Sequence, residues 1–185
     1  MKIAITGGIG SGKSYVCRLL RERGIEVYDC DAAAKRLMRT SEETKEKISA
    51  LVGPDAYTDD GQLNKAAIAK FLLQSETNTK AINAIVHPAV VADFLASGLS
   101  WMESAILYQA GIAHVVDRVI VVTAPEEIRI QRIIQRDGIT REKAQEWIER
   151  QWPQSEVCRL ADYEIVNDGR PLEPQLTEIL QKIHI

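Results

Sequence analysis

Residues 7–14 read Gly-Gly-Ile-Gly-Ser-Gly-Lys-Ser, and those types in that order suit one chemistry. They fit G-x-x-x-x-G-K-[ST], the pattern of a phosphate-binding loop. Glycines let the backbone approach a polyphosphate with no Cβ in the way. Successive N–H groups then form an anion nest, and the N-terminus of a following helix adds its positive dipole end. On this reading Gly8, Ile9, Gly10, Ser11, Gly12 and Tyr15 help to hold a nucleoside triphosphate. Lys13 reaches its β- and γ-phosphates, and the Ser14 hydroxyl coordinates Mg²⁺.

Four further places offer chemistry, each beside a plainer reading. Asp29-Cys30-Asp31 follows an expected strand. Asp31 could activate an attacking hydroxyl, since phosphoryl transfer to an alcohol needs a carboxylate near it; it could equally cap the helix that starts at Ala32. Arg129, Arg132 and Arg136 share one helical face, with Ile130, Ile133 and Ile134 opposite. Such arginines can neutralise charge on a transferred phosphoryl group, or simply be solvated. His87-Pro88 reads as a cap or turn, or as a contact to an acceptor. Glu103-Ser104 reads as a polar strand end, or as a carboxylate acting through the hydration shell of Mg²⁺.

The elements that position these residues follow from periodicity. An apolar run at 3–5 predicts a buried strand, and Val16, Leu19 and Leu20 predict a helix over 13–23. A second strand is expected at 26–29. Helical spacing then dominates 32–38, 42–51, 63–73 and 79–95. Strand character returns at 101–107 and 118–123, the latter typical of a strand buried on both faces. Helices at 126–136 and 141–150, a strand at 163–166 and a helix from Leu172 complete the pattern. Strands alternating with helices predict an α/β fold, a parallel sheet flanked by helices with ligands at the carboxyl ends of its strands.

At 185 residues the chain fits one α/β unit, with no internal repeat or low-complexity linker. Its 45% hydrophobic and 26% charged residues are ordinary for a globular protein. A net charge of −3 argues against nucleic-acid binding by bulk electrostatics. No apolar run suits a membrane span or signal peptide. Cys17, Cys30 and Cys158 read as reduced thiols of a cytoplasmic protein, and the three histidines are too scattered for a metal site.

Assembled, these segments resemble the dephospho-coenzyme A kinase family along nearly the whole chain. The resemblance rests on residues 6–14, Asp29-Cys30-Asp31, Asp60-Gly61-Gln62-Leu63, residues 83–88 ending in His87-Pro88, and residues 103–108. It continues through Arg132, Arg136-Asp137, Gln151, Ala161-Asp162 and Asn167-Asp168-Gly169. It implies a P-loop kinase with ATP and Mg²⁺ as cofactors and dephospho-CoA as its partner, with no nucleic acid or membrane. The core would span about 1–31, 99–136 and 160–185, with a helical acceptor-binding insertion at about 32–98 and a helical lid at about 136–155. By position, Asp31 would be the base, with Lys13 and Arg136 also catalytic. Lys65, His87 and Glu103 would face the acceptor, while Arg132, Asn167 and Gly169 would lie on the nucleotide side. Tyr15, Cys30 and Lys65 depart from the family's usual threonine, alanine and arginine. Trp147 and Val157 stand where a basic residue is common, leaving Arg150 or Arg159 to supply a lid charge. The alternatives are a kinase acting on a nucleoside monophosphate or sugar, and a nucleotide-dependent switch with no acceptor.

Overall fold

Ile3, Ala4 and Ile5 are wholly buried, as a central strand of a doubly covered sheet should be. They form β1 (Ile3–Thr6), which leads through the glycine-rich loop into α1 (Lys13–Glu22) and β2 (Val27–Asp29). The other strands are β3 (Trp101–Glu103), β4 (Arg118–Thr123) and β5 (Tyr163–Val166). Their order is β2-β3-β1-β4-β5. β1 runs parallel to β3 and to β4, with Ile3 opposite Trp101 and Arg118, and β4 runs parallel to β5. The computed structural model describes residues 1–184.

The chain divides into two compact units. The first, residues 1–28 and 99–185, holds the sheet. Val16, Leu20, Ile120, Val122, Ile165 and Leu176 are among the buried residues of its core. α6 (Glu126–Asp137) and α7 (Arg141–Glu149) share a smaller apolar cluster of Ile130, Ile133, Ala144 and Ile148, against which Ile9 and Trp147 pack. α8 (Gln154–Leu160), β5 and α9 (Leu172–Lys182) follow.

The second unit, residues 29–98, is mainly helical, with a single antiparallel bridge between Tyr57 and Leu63. It contains α2 (Cys30–Thr40), α3 (Glu42–Val52), a 3₁₀ turn at Pro54–Ala56, α4 (Lys65–Gln74) and α5 (Glu76–Ser97). Its helices begin on side-chain caps: Asp29 accepts from Ala32, Ser41 from Thr44, Asn64 from Ala67 and Ser75 from Asn78. Such caps satisfy N–H groups that the first turn leaves orphaned.

Three expectations need correction. The strand expected at 101–107 stops at Glu103. Ser104 still donates its N–H to the Ile5 carbonyl, but the chain then turns, and Ala110 bonds back to Ile106 and Ile112 to Leu107. Leu107 is apolar because it is wholly buried in that turn, not because it extends a strand. His87-Pro88 forms neither a cap nor a turn but sits inside α5. α8 was not expected; Pro153 at its N-terminal boundary is the signal that marks it.

Candidate active site

The phosphate loop leaves the carboxyl end of β1 and is tied there by the Thr6 hydroxyl, which donates to the Ser104 carbonyl at 2.8 Å. Gly12 opens α1 at φ 101°, a left-handed conformation that favours glycine. No side chain caps α1, so its first turn points its dipole end into the loop without a competing carboxylate. A Cβ on Gly12 would lie 2.1 Å from Asn167 Nδ2. The loop thus reads as a cradle that side chains would fill.

Its shape is imposed from α6 and from the end of β5. Arg132 Nη1 donates to the carbonyls of Gly10 (3.2 Å) and Ser11 (3.3 Å), and its Nη2 donates to Asn167 Oδ1 (3.1 Å). Asn167 Nδ2 donates in turn to the Ser11 carbonyl at 2.8 Å. Holding those carbonyls from outside fixes the loop's backbone, in which the Ile9 N–H is given to Gln151 and the Ser11 N–H to the Gly8 carbonyl. Ser11 Oγ is the one buried side-chain polar atom with no partner among the described residues. That orphaned hydroxyl, the uncapped α1 and the bare glycines fit a polyphosphate.

Lys13, at the start of α1, is 8% exposed, and its Nζ lies 3.9 Å from Glu103 Oε1. The carboxylate at the end of β3 thus lies at the outer edge of ion-pair range from the lysine. Ser14 follows Lys13 in the first turn of α1, as the motif requires. Beside Gly12, a groove of about 320 Å³ is lined by Tyr15, Arg132, Asn167, Gly169 and Glu173. Tyr15 donates to Glu173 at 2.8 Å while the Arg18 guanidinium lies 4.6 Å over its ring. The Glu173 hydrogen bond pushes the phenol's pKa up.

The three arginines of α6 differ sharply. Arg129 is only 5% exposed, and its Nε donates to the Ile9 carbonyl at 2.9 Å. Burial pushes its pKa down. Arg132 is half-buried against the loop. Arg136 is 61% exposed and grips Asp137 at 2.7 Å, and it makes no hydrogen bond to the loop. Sequence periodicity grouped the three on one face; what it could not give is how far that face tilts into the loop along the helix. Arg129, expected either to neutralise phosphoryl charge or to be solvated, is instead buried on the loop backbone, and Gln151, which only marked the resemblance, joins it there. Gln151 Oε1 accepts from the Ile9 N–H at 2.7 Å.

In the helical unit, the competing readings of Asp29-Cys30-Asp31 separate. Asp29 is the cap of α2, its Oδ1 accepting from Ala32 at 2.8 Å. Asp31 lies in the first turn, is exposed, and has no hydrogen bond or ion pair among the described residues. Lys65 is the first residue of α4 and is exposed; His87 is half-buried within α5. Among the described residues no cluster of His, Cys, Asp and Glu could hold a metal, and no helix is long and apolar enough to cross a membrane.

Residues 1–173 match the CoaE family, described as dephospho-CoA kinase. A dephospho-CoA kinase of Bacteroides fragilis (strain YCH46) is 38% identical over 196 residues, covering 100% of this chain and 95% of that one. One from Geobacillus kaustophilus is 35% identical over 193 residues, covering 98% and 96%. The structure of TT1252 from Thermus thermophilus aligns with a TM-score of 0.82 at 31% identity, covering 100% and 96%. Dephospho-CoA kinase from Campylobacter jejuni shares the fold, with a TM-score of 0.70 at 20% identity over 99% of this chain and 98% of that one. Family match and end-to-end identity agree with the loop, the parallel sheet and the helical unit: the chain belongs to the dephospho-CoA kinase family.

Proposed function

We infer that this protein transfers the γ-phosphoryl group of ATP to the ribose 3′-hydroxyl of dephospho-CoA, giving coenzyme A in the last step of its synthesis. The observation that carries this is the family match over residues 1–173, on a chain whose phosphate loop is complete. In this reading the amides of the loop and of the first turn of α1 bind the phosphates. Lys13 leaves Glu103 to bridge the β- and γ-phosphates, and the Ser14 hydroxyl holds Mg²⁺. Mg²⁺ would neutralise charge on the phosphates while the chain's own donors orient them.

Asp31 is the base. Its availability supports the role, because Asp29 caps α2 and leaves the Asp31 carboxylate unspent. The carboxylate takes the hydroxyl proton as the oxygen attacks the γ-phosphorus, and the bond to the β–γ bridging oxygen breaks to release ADP. Lys65, His87 and Glu103 contribute polar contacts to the acceptor. Arg136 completes the charge clamp from the lid if its Asp137 partner yields. Tyr15, Asn167 and Gly169 border the groove that takes the adenine. The cysteines are not joined in disulfides, in keeping with the reducing, cytoplasmic setting this reading expects.

The test is ADP release with Mg²⁺-ATP in the presence of dephospho-CoA, AMP, adenosine or no acceptor. Stimulation by dephospho-CoA with stoichiometric coenzyme A is the expected result. Equal ADP release without an acceptor would overturn it in favour of a nucleotide switch, and stimulation by another acceptor would replace the substrate.

A further inference from the structure

Ile9 is held from three directions. Its N–H donates to Gln151, its carbonyl accepts from Arg129, and its side chain packs on the apolar cluster of α6 and α7. All three supports belong to the α6–α7 hairpin or to the chain just beyond it. The neighbouring Gly8 has no positive φ, so its backbone would accept a side chain. The clamp is what excludes one: a Cβ there would lie 2.3 Å from Arg129 Nη2 and 3.2 Å from Gln151 Oε1.

Arg129 makes no ion pair among the described residues although it is nearly buried. Burial costs this guanidinium more than the charge of Glu126 returns, so its place calls for another reason. The guanidinium is instead spent on the loop, through the Nε bond to the Ile9 carbonyl.

We propose that Arg129 and Gln151 are positioning residues for phosphoryl transfer, which fix the Ile9 peptide and couple the upstream half of the phosphate loop to the α6–α7 hairpin. The downstream half is held by other side chains, Arg132 one turn further along α6 and Asn167 after β5, on the Gly10 and Ser11 carbonyls. Loss of the clamp therefore loosens the loop where the γ-phosphoryl is transferred and leaves the half next to α1, which binds ADP, in place. This rests on the kinase reading above.

The experiment compares Gln151→Met, which keeps the bulk and loses the acceptor, with Gln151→Glu, which keeps the acceptor. Turnover with ATP and dephospho-CoA, ADP affinity by calorimetry and amide exchange of Ile9 by NMR are measured on each. Gln151→Met should lower kcat about 10–100-fold, the range for a lost hydrogen bond at a reacting site. ADP affinity should stay within about twofold while the Ile9 amide exchanges faster; Gln151→Glu should restore protection and most of the turnover. Gly8→Ala should lower kcat similarly in the wild-type background, but by no more than about twofold once Arg129→Met has removed the obstacle. Unchanged kcat and unchanged Ile9 exchange in Gln151→Met would overturn the proposal. So would a parallel loss of ADP affinity, which indicates collapse of the whole loop, or a gain in affinity and turnover, which indicates a plug. If the wild type fails to use dephospho-CoA, the kinase reading falls, while Ile9 exchange and ADP binding still judge the clamp.

Discussion

The phosphate loop and the start of α2 use polar side chains in opposite ways. Around the loop, Arg129, Arg132, Asn167 and Gln151 each bond to loop backbone, and Lys13 is paired with Glu103. At the start of α2 one aspartate is consumed as a cap and the next is left exposed and unpaired. A site that binds a constant, highly charged ligand gains from donors set in advance, because no reorganisation is left to the reaction. A proton acceptor needs the reverse: its lone pairs must be available when the hydroxyl arrives.

The largest effect expected from this contrast is at Lys13. Lys13→Ala should cut ATP-dependent turnover by roughly 10³–10⁵, the scale of a charge that stabilises a transferring phosphoryl group; turnover near wild type would break the assignment of the loop. Asp31→Asn comes next, with kcat down roughly 10²–10⁴ and ATP affinity unchanged. Loss of ATP affinity with turnover retained would move Asp31 to a packing role. Asp29→Ala sharpens the same point: it should cost about 1 kcal/mol of stability, as caps do, measured by denaturant unfolding, while kcat stays near wild type.

The smallest effect concerns alkaline stability. Tyr108 donates to the Leu160 carbonyl at 2.7 Å, and burial, followed by the charge of Asp162, pushes its pKa up to about 12. The folded state thus holds the proton more tightly than the unfolded chain, whose tyrosines titrate near about 10. The contribution is intact below about pH 10 and is lost as pH rises towards 12. Denaturant midpoints at pH 8 and pH 11 should diverge more for wild type than for Tyr108→Phe, and equal divergence would show the phenol is unimportant there.

Short-range rules made the nucleotide side legible. The strand, glycines and helix at the loop follow from types and spacing, and the bounds of β4 and β5 were read correctly because their apolar runs end in polar or turn residues. The sequence misled where an apolar residue is buried without regular structure, as at Leu107; at Pro88 the helical spacing over 79–95 was the right signal and the local reading of His87-Pro88 as a cap or turn was not. It named Arg129 and Gln151 without finding their partner, because a long polar side chain's partner lies in the tertiary fold: Ile9 is 120 residues from the first and 142 from the second. The two readings of Asp31, base or helix cap, were a true ambiguity, since an aspartate before Ala32 suits either and only the chain's path gives the cap to Asp29.

The parallel sheet also governs how the polypeptide matures. Thr6 must wait for Ser104, 98 positions on, and Lys2 for Asp117, 115 positions on. During synthesis the first strand and its loop emerge early and stay without their neighbours, whereas residues 29–98 are contiguous in the chain and close their contacts over short separations. Local contacts form sooner than distant ones, so the helical segment can order while the strand that carries the phosphate loop is still unpaired. An apolar, β-prone stretch left waiting in that way is the part of a nascent chain most exposed to aggregation, and Ile3–Thr6 is that stretch here.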